Sequence, residues 1–145
     1  MTAFDKKLNI WIIDDLANRR DSHEKILLEH LPQANIFKIA HPLHLKAVLK
    51  EELSELKNCF NLFFSDFNME WSNVQWTDDL LYTQGIKEDR DLDNFPGTQK
   101  VIKEYATEIG DFMLILLSTM VVEDNYPLKS KLGLTETTDR AWEYE

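Results

Sequence analysis

A chain of 145 residues, 43% hydrophobic and 11% aromatic, is long enough to bury a core as one domain and too apolar to remain disordered. Twenty-six acidic against 16 basic residues give a net charge of -10, and no basic stripe interrupts that field, so nucleic-acid backbones and anionic membranes are poor partners. A single cysteine, Cys59, excludes a disulfide framework, no apolar run reaches spanning length, and no signal-peptide core follows Met1 to Lys7, so the chain reads as cytoplasmic.

Leu8 to Ile13 is a short, β-rich apolar run, the pattern of a strand covered on both faces, and Asp14-Asp15 ends it. The period then becomes helical: His23, Ile26, Leu27, His30 and Leu31 form one stripe, stopped by Pro32. Asn35 to Ala40 alternates like an edge strand with one wetter face. Leu45, Val48, Leu49, Leu53 and Leu56 predict a second amphipathic helix, and His41 and His44 flank Pro42 in a loop before it. Cys59 to Ser65 is a third buried strand, ended by Asp66. The four histidines compose no ligand set.

Trp71 to Phe95 breaks this rhythm with an acidic, aromatic stretch, the mark of a functional flap or insertion. Leu80 to Ile86 has room for a helical turn, and Trp71 and Trp76 would either pack the flap onto the domain or supply a partner-binding anchor. After Pro96-Gly97, a third helix is expected through Val101, Ile102, Tyr105, Ala106 and Ile109. Phe112 to Leu117, the most hydrophobic run, should be a central strand closing at Ser118-Thr119. The tail from Met120 to Glu145 has weak periodicity.

Alternating strands and helices argue for an α/β fold with a parallel sheet wrapped by helices. Right-handed crossovers then bring the strand carboxyl ends to one edge, where open α/β sheets hold their ligands. Asp14, Asp15, Asp66 and Ser118 all stand at such ends. Three carboxylates in a low-dielectric cleft repel one another, and hard oxygen donors of this kind suit Mg²⁺.

Ile12-Ile13-Asp14-Asp15, Asp66-Phe67-Asn68-Met69 and Leu116-Leu117-Ser118-Thr119, in this order and separated by helices, resemble the receiver domain of two-component response regulators. The resemblance covers about Leu8 to Thr119. It implies a flavodoxin-like three-layer sandwich with a parallel sheet of order 2-1-3-4(-5), in a single domain with an insertion at 71–95 and a truncated or atypical tail at 120–145. It also implies that Asp66 accepts a phosphoryl group and that Asp15, assisted by Asp14, binds Mg²⁺ with Asp66. The Asn68 backbone carbonyl would complete the metal shell, and the Ser118 hydroxyl would turn toward the phosphoryl group. Receivers also carry a lysine after a fifth strand. Counting down from Ser118 reaches Thr137 to Arg140, which hold no lysine, so Lys129 is the nearest stand-in, with Lys131 beside it.

The expected function is therefore a signalling protein rather than an enzyme. A histidine kinase, a phosphotransfer protein or a small phosphodonor would supply the phosphoryl group, and an unidentified downstream protein would read it. A phosphorylation-independent pseudo-receiver, serving as a binding or dimerisation module, is the alternative favoured by the absent lysine and short tail. A Mg²⁺-dependent hydrolase ranks lower, because no second acid/base group is placed beside the nucleophile and no Asp-x-Asp motif stands at a strand end. The apolar edge on Phe112 to Leu117 would be covered by the Met120 to Glu145 tail, or that tail would exchange with a second subunit in a homodimer.

Overall fold

The structure, a computed structural model, describes residues 7–76 and 86–117. Four strands and four helices alternate in it: β1 (Lys7–Ile13), α1 (Ala17–His30), β2 (Asn35–Ile39), α2 (Pro42–Leu56), β3 (Cys59–Asp66), α3 (Asn94–Glu104), α4 (Ala106–Ile109) and β4 (Phe112–Leu117). All strand pairs are parallel, and the sheet order is β2-β1-β3-β4, a flavodoxin-like α/β arrangement. The order dictates the layers. Stepping from β1 to β2 runs one way across the sheet and the later crossovers run the other, so right-handed connections put α1 on one face and α2 and α3 on the opposite one.

The α2–α3 face carries the main core. Trp11 and Ile13 of β1, Ile39 of β2 and Phe63 of β3 pack with Leu45, Leu49 and Leu56 of α2 and Val101 and Ile102 of α3. The Trp11 ring stacks on Phe37 and Phe63, at centroid distances of 4.1 and 5.4 Å. Beneath it, a polar ladder crosses three strands at one level, where Asn9 is registered with both Asn35 and Asn61. Asn9 Nδ2 and Trp11 Nε1 both donate to Asn61 Oδ1 at 3.1 Å, Asn35 Nδ2 donates to Asn9 Oδ1, and Asn61 Nδ2 donates to the Leu56 carbonyl. A one-residue slip would leave the buried Asn9 and Asn61 amides unpaired, so the ladder fixes register.

Several sequence expectations are corrected. Helix α1 stands where its spacing predicts, but none of its residues is fully buried, and Ile26 is 54% exposed. His41 and His44 do not lie in a loop, because His41 caps α2, Pro42 is its first residue and His44 is inside it. Both imidazoles are buried and accept backbone N–H groups at Nδ1, His41 from Leu43 and His44 from Ala40. β4 is the last strand of the described sheet, with Phe112 and Met113 partly exposed on it, and residues 118–145, which follow it, lie outside the described residues.

The third helix begins before Pro96-Gly97, at Asn94, so the connection from β3 runs over residues 67–93. Asn94 has a left-handed φ of 68°, a conformation that a short amide side chain tolerates. Its N–H donates to the Met69 carbonyl at 2.7 Å while its Oδ1 accepts the Met69 N–H at 2.8 Å. Phe95 N–H donates to the Phe67 carbonyl beside them. Gly97 then lets the helix press against the backbone of Leu92, where a Cβ would lie 1.7 Å from the carbonyl oxygen. Among the described residues no helix is long and apolar enough to cross a membrane.

Candidate metal centre at the carboxyl edge of the sheet

Asp14 follows β1 directly, and its N–H continues the ladder by donating to the Ile39 carbonyl at 2.9 Å. Its Oδ1 accepts the Leu16 N–H at 3.0 Å, which turns the chain into α1. Asp66 is the last residue of β3, one step past the Ile13–Ser65 register pair, so it arrives beside Asp14. Below it, the Ser65 hydroxyl donates to the Asp66 carbonyl and hydrogen-bonds the buried Thr98 hydroxyl of α3 at 3.0 Å, holding this strand end to the helix. One carboxylate oxygen from each of Asp14, Asp15 and Asp66 lies within 4.8 Å of the others. The sequence expectation of a shared acidic hollow is thus met for all three.

Electrostatics mark the hollow as unsatisfied. Burial, and next the neighbouring Asp14 charge, push the Asp66 carboxyl up to about 6, against the opposing pull of Arg19. Burial and Asp14 raise Asp15 as well. Asp14 Oδ2 is fully buried without a hydrogen-bond donor, an orphaned acceptor of the kind that burial penalises. Its nearest help is ionic: Arg19 Nε stands 3.2 Å from this oxygen, and Arg19 Nη1 stands 3.6 Å from Asp66 Oδ2. Three anionic oxygens and an orphaned acceptor fit a hard divalent cation such as Mg²⁺, which prefers carboxylate and water ligands. Asn68 follows two residues after Asp66, with an exposed side chain. Ser118, Lys129 and the tail lie outside the described residues.

Sequence reasoning missed two features here. Arg19 sits in the first turn of a helix that starts immediately after the aspartate pair, and that placement folds it back over the strand ends. Arg20 Nη1 likewise donates to the Asp14 carbonyl at 2.6 Å. The second feature pins the connection after β3. With His41 Nδ1 accepting from Leu43, its Nε2 carries the proton and donates to Asp93 Oδ1 at 2.6 Å, and the same oxygen accepts the Trp71 N–H at 2.9 Å. Trp71 and Trp76 lie 4.3 Å apart at a 33° tilt, with the His41 ring edge-on to both. The tryptophans therefore do pack this segment onto the domain, as expected, and their anchor is a buried histidine.

No family model matches the chain, and no curated protein matches it. Among solved structures, the chain is similar to the N-terminal domain of an uncharacterized protein from Wolinella succinogenes, at 12% identity and a TM-score of 0.46, covering 88% of this chain and 77% of that one. So distant a likeness says nothing about chemistry. The strand order rests on the backbone pairing itself.

Proposed function

We propose that the chain is a receiver-type signalling domain that accepts a phosphoryl group on Asp66 in the presence of Mg²⁺ and acts through protein–protein contacts in the cytoplasm. One observation carries this reading: Asp66 ends a buried strand with its carboxylate in a three-acid hollow that also contains an orphaned Asp14 oxygen. At pH 7 a carboxyl titrating near 6 is still roughly nine-tenths ionised and available as a nucleophile. An Asp66 oxygen attacks phosphorus, the bond from phosphorus to the donor's leaving atom breaks, and the electron pair departs with that atom. A histidine kinase, a phosphotransfer protein or a small acyl phosphate are donors of this chemistry. Asp14, Asp15 and Asp66, with the Asn68 carbonyl, would hold the cation, which supplies charge neutralisation to a reaction governed by positioning. Ser118 is the hydroxyl we assign to reading the modification, and Lys129 the amine nearest in sequence to pairing with it.

Incubation with acetyl phosphate and Mg²⁺ should add one phosphoryl group to the intact protein, read by mass spectrometry, and Asp66→Asn should abolish it. Equal labelling of the Asn variant would refute the assignment. One observation favours a second reading. Arg19 already offers the acids a counter-charge, which suits a pseudo-receiver that binds partners, or a second copy of itself, without phosphate. Indifference of the tryptophan fluorescence to Mg²⁺ plus beryllofluoride would select that reading.

A further inference from the structure

We infer that Arg19 is a tethered counter-cation that a divalent ion must displace, so that the chain carries its own competitor for the metal site and sets its own metal threshold. The inference rests on the Mg²⁺ reading above and deepens it. The Arg19 guanidinium is the cation that bridges the two most buried acids, reaching Asp14 Oδ2 through Nε at 3.2 Å and Asp66 Oδ2 through Nη1 at 3.6 Å. The oxygen it approaches on Asp14 is the one with no hydrogen-bond donor, an atom that a metal would claim first. A hard cation and a guanidinium cannot share that oxygen, because two positive charges within a few ångströms in a poorly hydrated cleft repel strongly.

The arrangement is also built to let go. The Arg19 side chain is 40% exposed, whereas those of Asp14 and Asp66 are 2% and 9% exposed, so the acids are fixed while the arginine has solvent to move into. Neither contact is a paired fork: each carboxylate receives one nitrogen, at distances longer than the best charge-assisted bonds. Arg20 is held differently, with its Nη1 on the Asp14 backbone carbonyl at 2.6 Å, a bond that metal binding to the side chains leaves undisturbed. Of the two adjacent arginines, one anchors the helix start and the other occupies the cleft.

The test is a Mg²⁺ titration of the full chain, wild type beside Arg19→Gln and Arg19→Lys, by isothermal calorimetry and tryptophan fluorescence. Thermal unfolding in EDTA serves as the control for folding. Removing the competitor should tighten Mg²⁺ binding about fivefold in Arg19→Gln, the upper end of the strength of a part-exposed ion pair expressed as affinity. Arg19→Lys, which keeps the charge on a compact head group, should stay within about threefold of wild type. A merely structural role predicts the opposite sign, weaker binding in a destabilised variant. Equal or weaker binding by Arg19→Gln while wild type binds Mg²⁺ would overturn the inference and leave the receiver reading intact. Absence of Mg²⁺ binding in all three proteins would overturn both.

Discussion

Replacing Asp66 by Asn should make the metal-free protein more stable at neutral pH, against the usual outcome of altering a buried polar residue. The carboxyl ordinarily titrates at 3.8 and is held at about 6 in the fold. A folded value above the unfolded one means that the native state keeps the proton where the unfolded chain has released it. The stabilisation from this group is therefore complete below about pH 4 and is lost as pH rises through about 6. A gap of two units corresponds to about 3 kcal/mol by pH 7, a large share of a small domain's stability. Asn keeps the shape and carries no charge. Urea denaturation in EDTA, followed by tryptophan fluorescence from pH 4 to pH 7.5, gives the stability difference between variant and wild type. That difference should grow by about 2–3 kcal/mol in favour of Asn over this range. Added Mg²⁺ should recover the wild type selectively on the proposed reading, because the charge that destabilises the metal-free fold is the charge that would hold the ion. A stability difference that does not change with pH would refute the reasoning, since it would mean that Asp66 feels no burial and no neighbouring acid.

His44 should generate the opposite pH dependence. Burial first, and then the Arg20 charge, push its imidazole down to about 4, and its Nδ1 is committed to the Ala40 N–H, so stability should fall by about 3 kcal/mol as pH drops from about 6.5 to 4. His44→Asn keeps an acceptor near that position without a titrating group, and its acid unfolding profile should be flatter than wild type; an identical profile would exclude His44 as the source. Gly97→Ala should cost about 3 kcal/mol or more in chemical denaturation, because its Cβ would fall 1.7 Å from the Leu92 carbonyl oxygen and both sides of that contact are backbone. A variant within about 1 kcal/mol of wild type would show that α3 shifts freely against the preceding turn.

β1 and β3 were legible because they are buried on both faces or nearly so. Ile10 to Ile13, Phe63 and Leu116 are essentially inaccessible, and runs of that kind with acidic ends have few other interpretations. Asp14, Asp15 and Asp66 could be assembled from sequence because crossover handedness delivers strand ends to one edge whatever the details of packing. Helix α1 was legible from its spacing, while the extent of its burial depends on what lies over it, which periodicity does not encode. The start of α3 was misplaced for a local reason. Pro96-Gly97 reads as a turn, yet proline is tolerated in a helix's first turn, and the glycine answers a close backbone contact rather than a bend. Arg19 was invisible as a site residue because an arginine on a helix is by default a solvated one.

The long connection after β3 raises a physical question, since a loosely held segment beside Asp66 would blur the geometry of the three carboxylates. Its two ends answer it. Phe67 and Met69, one and three residues past Asp66, are bonded through backbone and side chain to Phe95 and Asn94 at the start of α3. The chain therefore leaves and re-enters at one closed point. Lengthening a loop whose ends are already tied costs little, about 0.6 kcal/mol for each doubling, and the cost does not propagate to residues inside the closure. The next contacts outward, Trp71 and Asp93 meeting at His41, pin the segment again to the β2–α2 junction. The turn after β3 is thereby closed by its own two ends, and this is how a chain of this sheet order carries a long connection there while keeping three carboxylates within 4.8 Å.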